Sequence, residues 1–124
     1  MRIFIIFLLP FSSLQALGDH SMSDHYETVK ETCRDISSIR KEINRMNEQI
    51  LQLLAERTAY VQRAGDLKSK TTRIADDRQR VIDQEKILTE QSLSLELPLE
   101  ISIPTFQTIV EQSIEFQQRY IDGK

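Results

Sequence analysis

Little in this chain of 124 residues breaks regular structure: it has three Gly and three Pro. Low Gly and Pro alongside abundant Leu, Ile, Glu, Gln and Arg argues for helices and against a sandwich or barrel. Aromatic residues are 6% of the chain, and there is no Trp. One cysteine, Cys33, excludes an internal disulfide and a Cys-rich zinc site. It is read as an ordinary thiol ahead of the first helix. Charge of one sign is missing too, since 16 Lys and Arg stand against 19 Asp and Glu for a net −3. The chain therefore lacks the positive field of a general nucleic-acid binder. It has no Gly-rich phosphate loop and no metal cluster. His20 and His25 fall in an N-terminal stretch expected to be frayed and solvated.

A long hydrophobic run is also absent. The run Ile3 to Leu9 follows Met1-Arg2 and precedes small residues at Ala16 and Gly18. It is far short of the ~20 apolar residues that span a bilayer. Its layout is that of a secretory signal peptide over residues 1–18. The expectation is export, to the periplasm or outside the cell, with no membrane segment in the mature form. Translation from Met22 and a cytoplasmic protein is the alternative. Residues 19–124 then form one domain.

What is present is helical periodicity. Ile36, Ile39, Ile43, Met46, Ile50 and Leu53 recur at three- and four-residue spacing, followed by Tyr60, Ala64 and Leu67. No Pro interrupts, which predicts one amphipathic helix from at least Ile36 to Lys68. Such a helix is ~50 Å long, whereas a compact domain of this size has a radius of gyration of only ~13 Å. Its apolar stripe needs a second copy, so the expected architecture is an all-α, intertwined homodimer. A second helix is expected over about residues 73–91, capped by Thr71-Thr72. After a linker over residues 92–102 a third begins at Ser102-Ile103-Pro104, with Pro104 in its first turn, and runs to about Ile121.

Some polar residues fall where apolar ones belong. Ile36, Ile43 and Ile50 share a heptad position whose next member is Arg57. A buried Arg must be paired or must hold an anion, and the sequence leaves open whether Asp, Glu or a ligand does so. Lys68 is three turns further on nearly the same face, ~16 Å along the axis, so the two side chains can converge on one small anion. Arg40 is ~25 Å from Arg57 on a different face, and could meet it only across an antiparallel dimer. Asp77 and Arg80 stand at i, i+3, where a surface ion pair satisfies them. Ser113 and Gln117 edge the apolar face made by Phe106, Ile109, Val110 and Ile114. A ligand or an inter-helix hydrogen bond would satisfy them. None of these groups is a nucleophile beside a base.

In Ile39-Arg40-Lys41-Glu42-Ile43, Leu53-Leu54-Ala55-Glu56-Arg57, Lys68, Asp77-Arg78-Gln79-Arg80 and the stretch from Phe106 through Ser113 to Gln117, the chain resembles the all-helical chorismate mutases. These positions fall in register without a gap over about residues 36–117. The resemblance implies a cofactor-free Claisen rearrangement of chorismate to prephenate. It implies that Arg57, with Arg40 from a partner chain, grips the two carboxylates. Lys68 and Gln117 would donate to the ether oxygen, Asp77 would contact the ring hydroxyl, and Arg80 and Ser113 would help hold a carboxylate. The substrate-binding position after Arg80 is Val81 here, where many short members have Glu. Asn44 and Asn47 replace frequent Asp and are read as structural. Isochorismate pyruvate lyases resemble the chain as well, but Asp77 and Ser113 match the mutase pattern better. The expected partners are chorismate and a second copy, with no nucleic acid, and the competing reading is a non-catalytic helical dimer.

Overall fold

A computed structural model describes residues 20–124; the expected leader over residues 1–18 lies outside the described residues. Among the described residues four helices follow one another: α1 (Met22–Thr32), α2 (Ile36–Lys68), α3 (Arg78–Ser94) and α4 (Leu99–Asp122). The fold among the described residues is all-α as expected, with one helix more than the three expected.

The extra helix is α1. Its N-cap Ser21 accepts from the Asp24 N–H while the Asp24 carboxylate accepts from the Ser21 N–H, a complete capping box. His25 therefore sits in a helix, not in a frayed tail. Among the described residues α1 packs on no other helix. It is held at its start, where the Met22 N–H donates to the Leu95 carbonyl at 2.8 Å and the Ser23 hydroxyl reaches the Glu96 carboxylate at 2.7 Å.

The long helix α2 has the expected limits. Asp35 caps it, accepting the Ser38 N–H at 2.7 Å. Its C-terminal half packs against α4, which also packs against α3. At Gly65, a buried residue, the α4 side chains come so close that an added Cβ would lie 2.9 Å from the Tyr120 ring and 3.3 Å from Gln117. Only the absence of a side chain lets the two helices meet there.

The start of α3 corrects the sequence expectation. The helix begins at Arg78, not at residue 73, and its cap is Asp77 rather than Thr71-Thr72. Arg73 adopts a left-handed backbone, φ 56°, which an L-residue cannot carry into a helix. That conformation is secured from several directions. The Arg73 guanidinium donates to the Ile121 carbonyl at 2.9 Å, and the Gln118 amide both donates to the Arg73 carbonyl and accepts the Ala75 N–H. Residues 69–77 are thereby bound onto the end of α4, and Ala75 is buried.

The linker is also shorter than expected. Glu96 is left-handed at φ 54°, the Leu97 N–H bonds back to the Ser92 carbonyl, and the Glu96 N–H bonds to Leu93. These bonds form a Schellman ending with Glu where Gly is usual. The chain then turns over Pro98, and α4 starts at Leu99. Pro104 lies inside the helix rather than in its first turn. Glu100, whose carbonyl loses the usual donor four residues on, is exposed to water, as is Pro104. Ser92 and Ser102, both buried, join α3 to α4 through a 2.8 Å hydrogen bond.

Apolar burial within one chain is slight. Ala75 and Ile121 are the buried apolar side chains among the described residues. Ile36, Ile43, Ile50 and Leu53 of the N-terminal half of α2 remain 62, 47, 53 and 65% exposed.

Candidate functional site

The C-terminal half of α2, the segment leading into α3, the start of α3 and α4 line an open cavity of about 320 Å³. All but one of the polar positions singled out from the sequence line it: Arg57, Lys68, Asp77, Arg80, Ser113 and Gln117, together with Val81. The exception is Arg40. It is exposed on the N-terminal half of α2 and does not line the cavity.

The open question over Arg57 has a clear structural answer. Its Nη1 donates to the Ser113 hydroxyl at 2.8 Å, and Ser113 in turn donates to the Ile109 carbonyl at 2.6 Å. Its partner is a neutral hydroxyl, and among the described residues no carboxylate pairs with Arg57. Lys68 is similar. Its ammonium donates to the Ala75 carbonyl and to Gln117 Oε1, both at 2.8 Å. The Gln117 Nε2 donates to the Val61 carbonyl at 2.6 Å. Those two neighbours fix which way the amide faces, because a carbonyl can only accept and an ammonium can only donate. Gln117 is 5% exposed, and no buried side-chain polar atom among the described residues lacks a partner.

Asp77 and Arg80 do not form the surface ion pair that would satisfy them. Asp77 Oδ1 instead accepts the Arg80 backbone N–H at 3.2 Å as the cap of α3. Elsewhere the ion pairs are ordinary surface ones: Arg45 with Glu42, Arg119 with Glu115, and Arg78 with Asp76 and Glu111. The two carboxylates beside Arg78 hold its guanidinium, already a strong base, still more firmly protonated, Glu111 more than Asp76. Arg57, Lys68 and Arg80 form no such ion pair among the described residues.

Sequence reading missed part of the lining. Gln84 carried a detectable signal, since it follows Asp77 by seven residues and Val81 by three, on the same helical face. Ala75 carried none, because its place depends on the unusual backbone at Arg73.

A mostly helical wall with three cations and one carboxylate around a small cavity suits a compact anion bearing more than one negative charge. The family model for chorismate mutase type II matches residues 39–118, and the chain belongs to that family. Members of it are isomerases acting on chorismate. The chain matches no curated protein and no solved structure. The family match begins within α2, so α1 lies outside it.

Proposed function

We propose that the protein converts chorismate to prephenate by holding the substrate in its folded, reactive shape and stabilising the charge that forms as the ether bond breaks. The observation that carries this reading is the Arg57–Ser113 and Lys68–Gln117 pair of contacts. Two cations are held ready by neutral partners, so a dianion can enter without displacing a carboxylate. A fixed polar wall of this kind lowers a barrier without reorganising during the reaction. Restraint of a flexible substrate supplies the rest.

In this reading Arg57 binds one carboxylate, and Ser113 and Arg80 support its hold on the substrate. Lys68 has three N–H donors and uses two on Ala75 and Gln117. The third is directed to the ether oxygen, where negative charge grows. Gln117 has one N–H beyond that given to Val61, and it serves the same oxygen. Asp77 meets the ring hydroxyl side of the substrate. The second carboxylate is bound by Arg40 of a second copy, whose long helix lies along the exposed half of α2 and covers its isoleucines. No covalent intermediate is involved.

The test is direct. Purified protein mixed with chorismate should consume its ultraviolet absorbance and yield prephenate. Formation of salicylate and pyruvate from isochorismate, with chorismate untouched, would instead favour a lyase. Inertness to both would favour a structural dimer.

A further inference from the structure

We propose that Gln84 is the side chain that accepts the hydrogen bond of the substrate's ring hydroxyl; this rests on the chorismate reading above. Chorismate offers two carboxylates and an ether oxygen, all acceptors, and one hydroxyl that needs an acceptor in the wall. Arg57, Lys68 and Arg80 line the cavity, but guanidinium and ammonium groups cannot accept.

Most other side-chain acceptors of the wall already take a donor, which leaves the second Asp77 oxygen and the Tyr60 hydroxyl as the alternatives to Gln84. Ser113 Oγ takes the Arg57 N–H, Gln117 Oε1 takes Lys68, the Ala75 carbonyl takes Lys68, and Asp77 Oδ1 takes the backbone of Arg80. Gln84 lines the same cavity, is half-buried, and its amide has no hydrogen-bond partner among the described residues. Half-buried amides against an apolar wall are stabilised by a partner, and Val81, Val110 and Ile114 supply that wall here.

Placement on α3 strengthens the assignment. Asp77, Val81 and Gln84 follow one another at four- and three-residue spacing and form one stripe facing the cavity. Val81 is apolar and accepts nothing. Gln84 is ~10 Å along the axis from Asp77, so the two reach different parts of a bound ring. Gln84 is also neutral. Three cations and one carboxylate of this chain line the wall, and an amide adds no further charge to it.

The experiment pairs Gln84→Met, which keeps volume and helix propensity but removes the acceptor, with two substrates: chorismate and the same diacid lacking the ring hydroxyl. Loss of one neutral hydrogen bond should lower kcat/KM for chorismate about tenfold. The variant should handle the hydroxyl-free substrate as the unaltered enzyme does, because the interaction can be lost only once. Equal losses with both substrates, or no loss with chorismate, would overturn the assignment while leaving the mutase reading intact. An unaltered protein that converts neither substrate would overturn both.

Discussion

The two halves of α2 share one apolar period, but among the described residues only one of them packs on another helix, and even there Tyr60 and Leu67 stay 72 and 52% exposed. From Arg57 to Lys68 the helix lies against α4. Gly65 is buried beneath Tyr120, and Arg57 and Lys68 are fixed by hydrogen bonds to α4 side chains. From Ile36 to Leu53 most of the same stripe faces outward, with Ile36 and Leu53 each more than 60% exposed. A hollow of about 930 Å³, lined by Met22, Val29, Ile43 and Met46 among others, lies between this half and α1. Sequence period alone cannot tell these halves apart. What separates them is that α3 and α4 are long enough to cover only one. The uncovered half carries Arg40, the polar position that the single chain leaves out of its cavity.

Several substitutions would break or sharpen this contrast. The largest effect is expected in the uncovered half. Burying an Ile contributes ~1.5–3 kcal/mol, and a symmetric interface contains each residue twice. Ile43→Glu should therefore weaken self-association on the order of 10² to 10⁴-fold, measurable by sedimentation. Unchanged association would show that this half is not an interface. In the covered half, Arg57→Ala should reduce kcat/KM roughly 10² to 10³-fold, the scale of losing a fixed charge-stabilising donor. Sedimentation should show the assembly intact; near-normal turnover would remove Arg57 from the site.

Gly65→Ala should be milder. Alanine favours the helix by ~1 kcal/mol, but overpacking against Tyr120 and Gln117 costs ~1–3 kcal/mol. The expected net is a loss of about 1 kcal/mol in denaturant titration, with turnover more affected than stability because Gln117 must shift. A variant more stable and fully active would mean that the helices can separate freely at this point.

The smallest effect belongs to the rim of the covered half. The Asp66 carboxylate is held below its ordinary value of 3.8, first by the Tyr120 hydroxyl and then by Lys124. A carboxyl with a depressed folded pKa contributes stability that is full above its unfolded value and is lost as pH falls through the folded one. Tyr120→Phe should thus lower the unfolding midpoint slightly at neutral pH. The gap from the unaltered protein should close in acid below about 3.8. A gap independent of pH would assign the effect to packing of the ring.

Much of this arrangement was legible from the residues alone. The limits of α2 follow from an unbroken three-four spacing, and the cavity positions follow because helical spacing places Arg57 and Lys68 on one face. The limits of α3 were not legible. They depend on Arg73 being locked in a left-handed conformation by Gln118 and Ile121, contacts that are distant along the chain. The short linker escaped notice for a related reason, since Glu96 occupies a turn position where Gly would have signalled it. The helix α1 was missed because its apolar residues are few and its signal is the Ser21–Asp24 cap. Val81 was singled out through the resemblance alone, and Gln84, three residues further on, was within reach of a helical spacing argument.

Whether the proposed site is completed by two chains is tested most directly by mixing impaired partners. Arg40→Ala and Arg57→Ala should each retain at most about a hundredth of the activity alone. Co-refolded in equal amounts, they form dimers in which one of the two cavities can draw an intact Arg57 and an intact Arg40 from opposite chains. Random pairing places half of the chains in mixed dimers, so turnover should return to about a quarter of the unaltered level. An Arg40→Ala protein with full activity, or a mixture that stays as impaired as its components, would contradict the account.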